Sequence, residues 1–140
     1  VLVATDDRAA NERIASNIKD SNILINIADI PDKCNFILPS IVERGDLIIS
    51  ISTSGKSPAF AKQTRLALER IFGKEYEIFI KILGIVRKRL LETIRSEKKR
   101  RSIFKALVKS DVLMLLKEGK RDEAGILVKN ITGIDDIPLR

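Results

Sequence analysis

Residues 1–31 read VLVATDDRAANERIASNIKDSNILINIADIP, and this stretch decides the fold class. Val1-Leu2-Val3-Ala4 is a short apolar run of strand character that gives way to Thr5-Asp6-Asp7. From Arg8 to about Asp20, apolar Ala10, Ile14 and Ile18 recur four apart, so the spacing predicts an amphipathic helix. Ile23-Leu24-Ile25-Asn26-Ile27 is a second apolar run rich in β-branched residues, closed by the turn chemistry of Asp29-Ile30-Pro31-Asp32. Strand, short helix, strand is a βαβ unit. Parallel strands are buried on both faces, which accounts for runs that do not alternate with polar residues.

Beyond this unit the pattern changes. Asn35 to Val42 and Leu47 to Thr53 are extended runs joined by Glu43-Arg44-Gly45-Asp46, the pattern of a β-hairpin. Ser54-Gly55-Lys56-Ser57-Pro58 turns into a helix, with Ser57 as N-cap and Pro58 at the first helical position. That helix is expected to run to about Phe72 and to stop at Gly73. The remainder reads as helical: Glu75 to about Arg95, Lys98 to Val108, Asp111 to Glu118 and Arg121 to about Ile131, with Gly119 and Gly133 as punctuation. The longest carries apolar residues on two adjoining lines (Tyr76, Phe79, Leu83, Val86 and Leu90, beside Ile78, Ile82, Ile85 and Ile94), so it needs partners on two sides, another subunit among them.

Composition narrows the chemistry. The chain has 140 residues, a net charge of +7, one cysteine and no histidine. A Ser–His triad and a Cys/His zinc site are therefore excluded within these residues, and no metal ligand set is assigned. Proton transfer near neutral pH falls to a carboxylate, Lys, Tyr, Cys34 or the substrate. The lone Cys34 fits a reducing compartment, and no apolar run approaches a bilayer's thickness, so a soluble, cytoplasmic protein without membrane contact is expected. From Arg87 to Lys105 there are nine Lys/Arg against two Glu, an excess equal to the whole net charge. Such a run is either a solvated face or a seat for an anionic partner. Without aromatic interleaving before Phe104, it argues against single-stranded nucleic acid.

Three segments are candidate sites. Ser52, Thr53, Ser54, Gly55, Lys56 and Ser57 form a hydroxyl-rich turn at a helix start, suited to a carboxylate or phosphate. It is not a phosphate-binding loop of the Walker type, because the glycine required five positions before Gly55 is Ser50. Asp29 follows the end of a buried strand, where open α/β sheets bind their ligands. Ala4, Thr5 and Asp6 end another strand on the same rim. Each also has a plainer reading: a capped helix after a hairpin, a turn aspartate before Ile-Pro, and a cap on the helix at Arg8.

In order and spacing these segments resemble the precorrin-2 dehydrogenase family, including the bifunctional dehydrogenase/ferrochelatases and the dehydrogenase part of sirohaem synthases. The resemblance rests on VATDD at residues 3–7 and INIADIPDKCNFILPSIVERGDLIISISTSGKSPAFAKQTR at 25–65. The helical remainder is similar in pattern only, including RKRLLETIRSEKKRRSIF at 87–104. It implies an α/β chain: the C-terminal part of a Rossmann-like NAD-binding domain (residues 1–34), a hairpin/helix dimerisation segment (35–73) and an all-helical C-terminal domain (74–140). It further implies NAD as cofactor, precorrin-2 as tetrapyrrole substrate and a homodimer. Asp29 takes the place of the family's catalytic aspartate, Ser52 to Ser57 face the substrate, and Ala4, Thr5, Asp6, Asn26 and Ile27 line the cofactor.

The family's glycine-rich fingerprint is absent from these 140 residues. The expectation is that the front of the nucleotide domain is missing before Val1, and that the chain as given binds NAD poorly or not at all. The implied reaction is oxidation of precorrin-2 to sirohydrochlorin, with iron insertion left open. Family members commonly have glycine where this chain has Ser54 and a second acidic residue where it has Ile30. Two other readings remain: a basic dimeric module that contacts nucleic acid, and an inactive dimerisation fragment.

Overall fold

The computed structural model describes residues 1–18, 21–28 and 30–139. The chain packs as two compact units, Val1–Ile41 with Ser50–Leu66, and Val42–Ile49 with Ala67–Arg140.

The first unit opens with the expected βαβ element. Strand β1 (Leu2–Val3) pairs in parallel with β2 (Asn26–Ile27), and α1 (Arg8–Ile18) connects them. Val3, Ile25 and Ile27 are buried, and Ile14, Ala15 and Ile18 of α1 pack on them. The second strand is shorter than its Ile23–Ile27 run. Register sets Leu2 opposite Asn26, and Val1 extends the contact, bonding to Leu24 O and Asn26 N–H. Asn35 serves the other edge of the run, where no strand pairs among the described residues: its Oδ1 accepts from Ile25 N–H at 2.7 Å and its Nδ2 donates to Ile23 O at 2.9 Å. A 3-10 turn at Pro31–Lys33 brings Asn35 back to the strand.

The hairpin also differs in its bounds. Strand β3 spans Ser40–Arg44 and β4 spans Leu47–Ile51, so only Gly45 and Asp46 connect them. Pro39 precedes β3 and has no N–H to give to a ladder. The tight connection is possible because Gly45 adopts a φ of +59°. Arg44 then turns from the strand to cap the next helix, donating from Nε to Phe72 O at 2.6 Å and from Nη2 to Glu69 O at 3.2 Å. That helix, α2 (Pro58–Ile71), ends before Gly73, but Gly73 is not among the left-handed glycines; the last-turn carbonyls are satisfied by the Arg44 guanidinium rather than by a glycine cap.

In the second unit, α3 (Glu75–Thr93), α4 (Glu97–Val108), α5 (Val112–Lys117) and α6 (Arg121–Thr132) share one core. On α3 the buried line is Phe79, Ile82, Val86 and Leu90, spaced three or four apart. Leu107, Val112, Ala124 and Val128 meet it from the other helices. Gly119 and Gly133 take positive φ after α5 and α6, as expected of helix stops. Past Gly133 the chain folds back on this bundle. Arg89 donates to the carbonyls of Asp135 and Asp136. Lys129 meets Asp135, a hydrogen bond that holds its exposed ammonium above the usual lysine range. No helix among the described residues is long and apolar enough to cross a membrane.

A candidate cofactor rim and substrate turn

The rim at the carboxyl end of β1 is organised by a residue that periodicity did not single out. Asn11, in the first turns of α1, is 4% exposed. Its Nδ2 donates to Thr5 O at 2.9 Å, and its Oδ1 accepts from the Thr5 hydroxyl. Thr5 therefore holds the β1–α1 turn in shape and does not cap the helix. The cap is Asp7, whose Oδ1 accepts from Ala10 N–H at 2.9 Å. Ala4 and Asp6 are exposed beside it, and Asp6 makes no bond among the described residues. Ala28 N–H donates to Val3 O at 2.9 Å, which sets the exit of β2 on the same edge as Ala4. The Ile27 side chain is 3% exposed and serves the core, so only its backbone faces the rim. The Asn26 carboxamide donates to Phe36 O at 3.0 Å and ties β2 to the segment after the 3-10 turn. Asp29 lies outside the described residues.

These residues fit part of a dinucleotide. Ala4 is small enough to let a ring approach the strand end, and the free Asp6 carboxylate can accept from a ribose hydroxyl. They do not fit a pyrophosphate: the N-terminus of α1 is capped by Asp7 with Asp6 beside it, so negative charge already occupies the place where a helix would hold phosphate.

The second candidate, Ser52 to Ser57, is a single hydrogen-bonded device. Ser54 and Gly55 have φ of +52° and +77°. Lys56 N–H donates across them to Thr53 O at 3.0 Å. Positive φ at both central positions with this bond is the type I′ turn. A left-handed serine is uncommon, and the glycine expected at this position from the resemblance would adopt this φ without strain. The flanking hydroxyls close the device. Ser52 Oγ accepts from Ser54 N–H at 3.1 Å, and Thr53 Oγ1 accepts from Ser57 N–H at 3.0 Å. Ser57 Oγ accepts from Phe60 N–H at 3.2 Å, the N-cap read from the sequence.

The turn thus spends the amides of Ser54, Lys56 and Ser57 internally. Among the described residues, the N–H groups of Thr53, Gly55 and Ala59 have no partner, and the exposed Lys56 ammonium stands beside them. The hydroxyls of Ser52, Thr53 and Ser57 act first as acceptors that shape the loop.

Comparison with known proteins defines the class. Residues 1–40 match the family described as NAD(P)-binding, and residues 44–71 match the family described as Sirohaem biosynthesis protein central. The chain thus carries, in order, a segment similar to an NAD(P)-binding family and a segment similar to the central part of sirohaem biosynthesis proteins, the order that the sequence resemblance implied. More particularly, the chain is similar to siroheme synthases. It is 29% identical to that of Methylococcus capsulatus over 124 residues, 89% of this chain and 26% of the relative. It is 33% identical to that of Photorhabdus laumondii and 34% to that of a Psychrobacter species over the same coverage. The chain spans about a quarter of the length of these relatives. In fold it is similar to SirC, precorrin-2 dehydrogenase, with a TM-score of 0.65 and 23% identity, over 92% of this chain and 62% of that one. The mixed α/β fold and the NAD(P)-type front segment expected from the sequence are borne out at this level.

Because the I′ turn needs a left-handed residue at position 55, Gly55→Ala should lower stability by about 1 kcal/mol. An added Cβ would meet only Ile37 Cδ1, at an ordinary 3.5 Å, so backbone strain rather than a clash is the cause. Urea unfolding measures it; an unchanged midpoint would mean that the turn is not left-handed there.

Proposed function

We propose that this chain takes part in the NAD-dependent oxidation of precorrin-2 to sirohydrochlorin in sirohaem biosynthesis. The observation that carries the reading is the matched order of segments on one chain: an NAD(P)-binding type rim, then the shaped turn at Thr53–Lys56 inside the sirohaem central segment. The macrocycle is a polycarboxylate. Gly55 N–H, Ala59 N–H and Lys56 Nζ form an anion-seeking set at the start of α2, and this set is the proposed seat for one of its carboxylates. Ala4 and Asp6 are the residues proposed for the ribose–nicotinamide side of NAD, which supplies a hydride acceptor when bound.

Asp29 is assigned the proton. It follows the exposed Ala28 at the end of β2, and in this reading it accepts the proton that leaves the reduced macrocycle. Iron insertion at the same aspartate is compatible with this role, since pyrrole protons must also leave when a metal enters. In the native protein, Asp29→Ala should reduce sirohydrochlorin formation about 100-fold or more, as expected for loss of a general base, with NAD affinity nearly unchanged. Full turnover in the variant would remove Asp29 from the chemistry.

The segment 35–73 is proposed as a homodimer contact. It leaves large apolar side chains in water: Ile41 at 49%, Ile48 at 61%, Phe60 at 66% and Ile71 at 56% exposure. Sedimentation of Ile48→Lys should show a shift from dimer to monomer; a parent chain that sediments as a monomer would end this part of the reading.

A further inference from the structure

The second unit contains a cleft that the reading above does not use. It lies between α3 and α4, has a volume of about 460 Å³, and is lined by Arg87, Leu91, Glu97, Arg100, Arg101 and Phe104. Helical spacing builds it. Arg87 and Leu91 are four apart on α3, while Glu97, Arg101 and Phe104 form one stripe on α4. One wall and the floor are therefore apolar, and cations stand on both sides.

The three arginines are differently employed. Arg100 Nη1 donates to Ile94 O at 2.6 Å and to Arg95 O at 2.8 Å, so it pins the α3–α4 connection and contributes a fixed positive charge. Arg101 meets Glu97 at 2.7 Å, but the pair is 80% and 65% exposed. An exposed ion pair of this kind holds its partner weakly, and the rest of the guanidinium fork stays available. Arg87 makes no bond or ion pair among the described residues. Leu91 is 58% exposed beside it, an apolar side chain left in water within the most basic run of the chain. Among the described lining residues Glu97 is the one acidic group, set against three arginines.

We propose that this cleft binds a small amphipathic polyanion: an apolar, ring-sized body carrying two or more carboxylates. Leu91 and Phe104 take the body. Arg87 from α3 and Arg101 from α4 each take a carboxylate, the planar fork matching the two oxygens. The volume suits a small molecule rather than a nucleic-acid duplex, and the lining offers one aromatic ring rather than a stacking series. The site belongs wholly to the second unit and does not depend on the dehydrogenase reading.

The test is a calorimetric titration of the 140-residue chain with benzene-1,3,5-tricarboxylate at physiological ionic strength, with inorganic phosphate and a random DNA duplex as comparison ligands. The tricarboxylate should bind saturably at one site per chain, at least fivefold more tightly than phosphate. Arg87→Ala and Leu91→Gln should each weaken it five- to tenfold, while the thermal midpoint of Arg87→Ala stays at the parent value because that side chain makes no bond among the described residues. Leu91→Gln separates an apolar seat from bare charge. Any of three results would overturn the proposal: no saturable binding, variants that bind like the parent, or phosphate binding as tightly as the tricarboxylate. A duplex that binds more tightly than the tricarboxylate and loses affinity in Arg87→Ala would replace it with a nucleic-acid surface.

Discussion

Two consecutive left-handed residues, Ser54 and Gly55, set the direction in which the chain leaves β4 and enters α2. Once that I′ turn is closed by the bond from Lys56 N–H to Thr53 O, the neighbouring hydroxyls have little freedom. Thr53 Oγ1 must face the Ser57 amide, and Ser57 Oγ must face Phe60. The helix start is thereby capped from within, and among the described residues the groups left over include the Gly55 and Ala59 amides and the Lys56 ammonium. A hydroxyl-rich loop of this composition is otherwise free to point its donors in many directions. The backbone constraint fixes which donors the loop can present, and the proposed substrate contact depends on that.

A similar economy operates at the rim of the βαβ unit. Asn11 is buried and spends its carboxamide on Thr5, so the β1–α1 turn is held by a polar side chain inside an otherwise apolar unit. A buried amide is costly unless both its ends are satisfied, and here both are. Asp7 claims the N-terminus of α1. The consequence is directional: this helix start already carries negative charge, so the proposed cofactor contact at this rim is with the ribose or nicotinamide side of a dinucleotide and not its diphosphate.

The elements that were legible in the sequence are those whose signal is local. The periods of α1 through α6, Ser57 and Pro58 at the start of α2, and the glycine stops at Gly119 and Gly133 report burial or backbone geometry within a few residues. The parallel pairing of β1 with β2 followed from two apolar runs flanking a short helix. Bonds across long separations were not legible. Asn35, ten residues on from Ile25, satisfies the free edge of the second apolar run with its side-chain amide, in place of a further strand. Arg44 caps α2 across 28 residues, so Gly73 is not needed as a left-handed stop. Neither role changes the hydrophobic pattern. In the candidate site, the hydroxyl and glycine composition marked the turn, but which amides remain free emerged only from its closed hydrogen-bond set. The basic run was visible as charge, whereas the apolar Leu91–Phe104 seat within it needed two helices to be brought side by side.

The proposed chemistry rests on the turn at Thr53–Lys56 receiving a carboxylate of a tetrapyrrole. Titration of sirohydrochlorin into the protein, followed by its absorption spectrum, tests this most directly when the parent is compared with Lys56→Ala. The prediction is saturable binding that weakens about tenfold in the variant, the equivalent of about 1.4 kcal/mol for one charge-assisted contact. Equal affinity in the two proteins, or no binding to the parent, would contradict it.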